Sequence, residues 1–532
     1  MKKISNLLLM FLLVAFVLPV NGKENNLVIV PVPNKYEILD GQFSLAKNIT
    51  ISTDTDEFEG VISVFTEQVK KYTETKCQEK RKKALIKLIK SAQTGSEEAY
   101  RLKITPDEIT VEAEAASGAF YGLQSVVQLL INAQQENLNY IPCCVIEDAP
   151  RYSWRGFMLD ESRHFFGTEE VKKIMDMMAL QKLNKFHWHL TDEPAWRIEI
   201  KKYPLLTEVG GAGTKWNPNA PVKFYTQDEV KEIIAYAAER FIEVIPEIDM
   251  PGHATAAVRA YPEFGGGGSE RNPDFTFHPG KEGTYQFLTD ILKEVAGLFP
   301  SQFIHIGGDE VHFGNQQWST FPEVKELMKN EGLKDLVDVE HYFLNRMADS
   351  IRYMGKTVMG WDEVTNAGLK KENTWVMWWR HDKPQTLQQA LDNGYETILC
   401  PRRPLYFDFI QHDSHKDGRR WGGFCPIEDV YAFPNEAMTG GKFYNNSLVK
   451  GIQANVWTET MHTAERLEFM TFPRLSALAE AAWTNDTNKN LDEFKNRLKW
   501  LLKFYEGQGI SFFDPLNPAG TKEIEGVSKT KN

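Results

Sequence analysis

Residues 284–310 read TYQFLTDILKEVAGLFPSQFIHIGGDE: an amphipathic stretch, a Pro-Ser-Gln break, then a short apolar run ending on two glycines and two adjacent carboxylates. The first part has a helical apolar period, and the short run behind the break predicts a buried strand. The same cycle recurs from Arg151 onward. The apolar runs are GFMLDESRH (156–164), KFHWHLTDE (185–193), FIEVIPEIDMPGH (241–253), FIHIGGDE (303–310), TVMGWDE (357–363), TWVMWWR (374–380), TILCP (397–401) and IQANVWTE (452–459). Helical patterns such as TEEVKKIMDMMALQKL (168–183) and TQDEVKEIIAYAAER (226–240) lie between them. Eight strand–helix units predict an α/β chain whose residues 151–515 form a (β/α)8 TIM barrel with inserted loops.

The residues before the barrel have another character. All 13 Trp and all 12 His of the 532-residue chain lie after residue 150. Over 23–150, VIVPVP (28–33) and FSLAKNITIST (43–53) suggest strands, FEGVISVFTEQVKKYTE (58–74) a helix, and YRLKIT-PDE-ITVEAEA (100–115) a hairpin around a Pro-Asp turn. SGAFYGLQSVVQLLINA (117–133) reads as a helix with Ser117 as N-cap. This predicts a small α+β domain. Ahead of it, Lys2 and Lys3 precede the apolar run Leu7–Val17 and small residues up to Gly22. That pattern is a secretory signal peptide over 1–22, implying export to a periplasm or the exterior and no membrane association once it is removed. Residues 516–532 read as a polar C-terminal tail.

A net charge of −12 provides no long-range attraction to nucleic acid or anionic lipid. The basic run 79–90 alternates with apolar residues and reads as a solvated face. Cys77, Cys143, Cys144, Cys400 and Cys425 are too few and scattered for a disulfide framework and lack zinc-site spacing, so buried thiols are expected. Oligomeric state is not encoded in any pattern here.

Working residues of such barrels sit at the C-terminal ends of the strands. Two carboxylates in a cleft can be driven to different protonation states, and Asp309 and Glu310 stand behind Gly307-Gly308 at a strand end. Trp188, Trp361, Trp375, Trp378, Trp379 and Trp457 lie on or near barrel strands, while Trp154, Trp318, Trp483 and Trp500 are assigned to the core. Aromatic walls with polar groups between them suit the apolar faces and hydroxyl rim of a sugar. Carboxylates plus aromatics favour glycoside hydrolysis. A metal-dependent hydrolase using His187 and His189, and a catalytically silent carbohydrate-binding protein, are the alternatives.

GFMLDESRHF, KFHWHLTD, PEIDMPGH, IHIGGDE, GWDE, LYFDF, WTET and FPRLSALAEAAW, in this order, resemble glycoside hydrolase family 20, the exo-acting β-N-acetylhexosaminidases. The resemblance spans essentially the whole chain after the leader. It implies cleavage of terminal β-linked GlcNAc or GalNAc with retention, through an oxazolinium formed by the substrate's own acetamido group, without a cofactor or metal. It further implies that Glu310 is the acid and base, that Asp309 orients the acetamido group, and that Tyr406 hydrogen-bonds its oxygen. Trp361, Trp379 and Trp457 would wall the pocket; Arg163, Asp192, Asp408 and Glu459 would hold hydroxyls; His253 would support the acid. Glu193-Pro194 stands where many members have Asp-Gln. Trp379 is favoured over Trp378 for the pocket because it directly precedes Arg380, and Trp421, in the least alignable region 402–450, is a weaker candidate for sugar contact.

Overall fold

The computed structural model describes residues 27–80 and 83–527; the leader lies outside the described residues. Eight parallel strands close into a barrel: Trp154–Asp160, Lys185–His189, Glu243–Met250, Phe303–Gly307, Thr357–Trp361, Thr374–Trp378, Glu396–Leu399 and Val449–Val456, the last pairing with the first. Each coincides with one of the eight apolar runs. The strands are buried on both faces, which is why they read as continuous apolar runs rather than as alternating ones. Their outward side chains pack under the helices in a core shared with the N-terminal domain, and their inward ones fill the lumen.

Strict alternation along each strand corrects two tryptophan assignments. His187 and His189 point inward, so Trp188 between them points outward, its Nε1 donating to Glu161 Oε2 at 2.7 Å. Trp375 is the second residue of its strand, and it packs with Phe303 (ring centroids 4.8 Å apart) and Trp154 at the closed N-terminal end of the barrel. Trp188 therefore faces away from the lumen, and Trp375 lies at the opposite end of the barrel from the pocket. Trp154, Trp318, Trp483 and Trp500 are all buried, as expected of core residues.

The N-terminal domain is a seven-stranded mixed sheet, with helices Glu59–Tyr72 and Ala116–Gln135. The Tyr100–Ile104 and Ile109–Ala113 strands form the expected antiparallel pair. Residues 28–33 are not a strand, because Pro31 and Pro33 cannot donate to a ladder. The segment is instead pinned by side chains: Gln128 Oε1 accepts from Val30 N–H at 2.8 Å, and Glu480 Oε2 from Val32 N–H at 3.1 Å. Ser117 is not the N-cap either. Ala115 holds that position, and Ser117 is the second helical residue, its Oγ donating to Glu97 O at 2.7 Å.

Polar anchors tie this domain to the barrel. Arg155, on the first barrel strand and fully buried, pairs with Glu98 at 2.8 Å. Trp483 Nε1 and Tyr100 Oη both donate to Asp148 Oδ2 at 2.9 Å, and the Lys182 amine donates to Tyr100 Oη at 2.9 Å. Burial lowers the Lys182 amine to about 8, against the pull of Asp148. Removing one partner of a buried pair strands the other charge. Glu98→Gln should therefore lower the unfolding free energy by about 3 kcal/mol in denaturant melts; a change within experimental error would show that Arg155 is satisfied by its other acceptors, the Lys182 and Tyr152 carbonyls and the Tyr121 hydroxyl. All five cysteines are buried free thiols.

Candidate active site

The fourth barrel strand ends in a turn that only glycine allows. Gly307 and Gly308 have φ of +67° and +90°, and a Cβ on Gly307 would sit 1.7 Å from Asp249 Oδ1. Glu310 follows at φ +53°, a left-handed conformation rare for a non-glycine residue. The turn cancels strand alternation. Asp309 and Glu310, neighbours in sequence, both face one cavity of about 690 Å³ at the C-terminal mouth of the barrel.

Nine of the eleven residues singled out from sequence line that cavity. Besides the carboxylate pair, Arg163, Asp192 and His253 come from the ends of the first three strands, and Trp379, Tyr406, Trp457 and Glu459 from the last three. The other two stand immediately behind: Trp361 is fully buried beneath Trp457, with ring centroids 5.8 Å apart, and Asp408 is buried behind Arg419. Trp379 and Tyr406 are stacked nearly parallel, 6.3 Å apart with a 10° interplanar angle, while Trp378 lies in the outer core. Trp379 is thus the pocket residue of the two. Trp421 lies at the rim, 58% exposed.

A chain of charged contacts runs under the carboxylate pair. His253 Nδ1 lies 3.0 Å from Asp192 Oδ1, and its Nε2 lies 3.7 Å from both Asp309 Oδ2 and Glu310 Oε2. Burial alone would lower His253, but Asp192, with Asp309 and Asp249 beyond, holds it well above the usual histidine range. Asp192 also pairs with Arg163 at 2.6 Å and with His189 Nε2 at 3.0 Å. Against its burial, Arg163 and His253 keep its carboxyl well below the ordinary value. His253 is therefore an imidazolium aimed at the pair.

Residues that sequence reading missed build the floor. Glu247, wholly buried, sits 2.7 Å from His189 Nδ1 and 3.0 Å from each of His187, His305 and the Trp361 indole nitrogen. Asp249 lies against Asp309, within the same 4.8 Å group as His253. Burial raises both carboxyls; the charge on Asp309 adds to Asp249, while Glu363 and Glu310 add to Asp309 against the pull of His253. Burial, with Cys400 and Asp309 close by, pushes Tyr406 well up, so it is a phenol that can donate. Glu363 accepts from Trp379 Nε1 at 2.9 Å and fixes that wall. The signal for Glu247 and Asp249 was present in PEIDM, as two carboxylates inside a buried strand. Arg419, from the loop after the seventh strand, had no such signal.

The HxH pair does face inward. Among the described residues, His187, Glu247 and His305 bring donor atoms within 4.8 Å of one another, as do three further groups built around Asp192, Asp249 and His253. Several of these donors face one another: His189 has both ring nitrogens on carboxylates, and His187, which burial lowers to about 4, has Gln453 Nε2 and Glu247 Oε2 each 3.0 Å from a ring nitrogen. Their chemistry is carboxylate–imidazole pairing that braces the pocket floor.

A (β/α)8 barrel whose mouth holds a carboxylate pair between aromatic walls and further charged side chains is suited to glycoside hydrolysis. Comparison with known proteins agrees with that class. The model described as glycosyl hydrolase family 20, catalytic domain, matches residues 152–486, and that family's domain 2 matches residues 26–149. The chain belongs to glycosyl hydrolase family 20. It is 35% identical to a β-hexosaminidase of Porphyromonas gingivalis, over 94% of this chain and 66% of that one, and 34% identical to a β-hexosaminidase of Vibrio furnissii, over 85% and 76%. Among solved structures, the β-N-acetylhexosaminidase of Bacteroides fragilis superposes with TM-score 0.80 at 34% identity, covering 93% of this chain and 99% of that one. The exo-β-N-acetylglucosaminidase of Vibrio harveyi in complex with N-acetylglucosamine gives 0.84 at 32%, covering 92% and 78%.

Proposed function

We propose that the chain removes terminal, non-reducing β-linked N-acetylhexosamine from oligosaccharides or glycoconjugates, with retention, by substrate-assisted catalysis. The observation that carries this reading is the placement of Asp309 and Glu310 beside His253 on one cavity that Tyr406 also lines. The substrate's acetamido oxygen attacks C1 while Glu310 gives its proton to the departing glycosidic oxygen, and the C1–O bond breaks. Asp309 accepts from the acetamido N–H and balances the positive charge that develops there; Tyr406 donates to the acetamido oxygen and holds it below C1. Glu310, now a carboxylate beside His253, takes a proton from water, which attacks C1 and reopens the ring. Two inversions at C1 give retention. Arg163, Asp192 and Glu459 hold hydroxyls, with Asp408 behind them, and Trp379 and Trp457 enclose the ring and its acetamido group, Trp457 backed by the buried Trp361. The β-hexosaminidase names of the relatives and the N-acetylglucosamine complex of the Vibrio harveyi enzyme support the substrate class.

We expect aryl β-GlcNAc or β-GalNAc to be hydrolysed and the matching aryl β-glucoside to be left intact, because glucose has no acetamido nucleophile. Comparable rates on the glucoside would end the substrate-assisted reading. Activity should survive exhaustive chelation; loss that zinc restores would favour the metal-dependent alternative instead. The leader pattern supports export to a periplasm or the exterior, and among the described residues no helix is long and apolar enough to cross a membrane.

A further inference from the structure

The segment after the last helix, Leu491–Gly507, reaches back to the barrel mouth. Ser511 N–H donates to Glu468 Oε2 at 2.8 Å and Phe513 N–H to Phe472 O at 3.1 Å, along the helix Ala464–Thr471. Val527 N–H donates to Thr460 O at 3.0 Å, one residue past Glu459, which lines the cavity. Between these points the segment, a polar tail by sequence, lies against the tip of the loop that follows the seventh barrel strand. Glu523 accepts there from two successive backbone donors, Lys416 N–H at 2.9 Å and Asp417 N–H at 3.0 Å. Asp417 returns the contact, its Oδ2 accepting from Gly526 N–H at 3.0 Å. The buried Arg466 closes the junction: it pairs with Glu523 at 3.3 Å and donates to the Asp417 and Ile524 carbonyls.

This loop supplies Arg419 and Trp421 to the cavity wall. Its base is held by the barrel, where the buried Arg474 donates to the Phe407, Phe409 and Cys425 carbonyls. Arg419 N–H donates to Asp408 O at 2.9 Å, and Ile410 N–H donates to Arg419 O at 3.2 Å. The tip is held down by packing of the His415 ring on Phe469 and Phe513, with centroids 5.3 and 5.2 Å away. Ring packing is non-directional, so it retains the tip without orienting its peptides. Only Gly418, at φ +150°, separates the two peptides that Glu523 holds from Arg419. A carboxylate that receives adjacent N–H groups makes charge-assisted bonds, stronger than neutral ones, and fixes the direction of both peptides. What Glu523 adds to the packed tip is therefore orientation.

We propose that Glu523 is a positioning residue for the reaction: from the C-terminal segment it sets the tip of this loop, and through it the placement of Arg419 and Trp421 in the cavity wall. The effect on turnover rests on the hexosaminidase reading above; the anchoring of the loop does not.

The test uses the full chain, wild type and Glu523→Gln, with two readouts. Glutamine presents one acceptor oxygen and turns an NH₂ group toward the other peptide donor. Backbone amide exchange over 411–421 should accelerate by about tenfold or more in the variant, while exchange in the barrel strands stays as in wild type. On an aryl β-GlcNAc, KM should rise by about tenfold with kcat within about twofold, because the displaced residues line the cavity whereas Asp309, Glu310 and His253 stand on other strand ends. A merely structural defect reduces the fraction of active enzyme, which lowers kcat and leaves KM alone. Should Glu523→Gln fail to fold, Asp417→Ala removes the acceptor for Gly526 N–H from the other side of the same junction and should give the same pair of changes. Unchanged exchange over 411–421 would overturn the anchoring. Accelerated exchange with KM unchanged would overturn the positioning role. If wild type hydrolyses no N-acetylhexosaminide, the functional reading fails and the role in turnover with it, while amide exchange still reports on the anchor.

Discussion

Glu310→Gln should bind substrate normally and lose about 10²- to 10⁴-fold in kcat/KM on an oligosaccharide, the range supplied by a positioned general acid. On an aryl glycoside with a strongly acidic leaving group the loss should be far smaller in the first step, because that leaving group needs little protonation. The second step still lacks a base for water. Turnover of the activated substrate should then stall after bond cleavage, and a nucleophile such as azide, which carries no proton to remove, should speed it up. The geometry behind this is specific. Glu310 is held at φ +53° where it faces the cavity, and His253 Nε2 lies 3.7 Å from its Oε2, carrying a positive charge that meets the carboxylate formed after proton transfer. Equal losses on activated and unactivated substrates, with no response to azide, would place the proton transfer on another group.

The barrel was legible because buried parallel strands write themselves as apolar runs, and their functional ends write themselves as a change to Asp, Glu, His and Trp. The carboxylate pair was legible for the same reason, with Gly307-Gly308 marking the turn. What was hidden follows from geometry that a linear pattern does not carry. Trp188 and Trp375 were grouped with the pocket tryptophans by their strands, yet side-chain alternation sends one outward and position along the strand puts the other at the closed end. Glu247 meets partners from three other strands, His187 and His189 on one, His305 and Trp361 on two more, and that convergence exists only once the barrel closes. Arg419 sits in a loop without period or motif, and only the folded loop brings it to the cavity. The segment 28–33 had strand composition, but two prolines and side-chain acceptors from Gln128 and Glu480 make it a buried connector.

Asp309→Asn should cost about 10²- to 10³-fold in kcat, the size of effect seen when a preorganised group facing developing charge is removed. Unlike the Glu310 variant, it should cost the same whether the leaving group is good or poor, because the charge it balances forms on the acetamido nitrogen and not on the departing oxygen. The neighbouring Asp249 sharpens the comparison. Burial and the neighbouring charge raise both carboxyls, which disfavours two negative charges side by side. Asp309 is the member within 3.7 Å of the His253 imidazolium, whereas Asp249 lies below, against the Gly307 turn. Of the two carboxyls, the closer approach of His253 favours the charge on Asp309 and leaves the proton to Asp249. Asparagine has the shape and neutrality of a protonated aspartic acid, so Asp249→Asn should retain activity within several-fold of wild type while Asp309→Asn does not. Measuring kcat for both variants on aryl glycosides of graded leaving-group acidity separates the assignments: if Asp249→Asn is the crippled enzyme and Asp309→Asn the active one, the charge resides on the lower carboxylate and the role given to Asp309 passes to its neighbour.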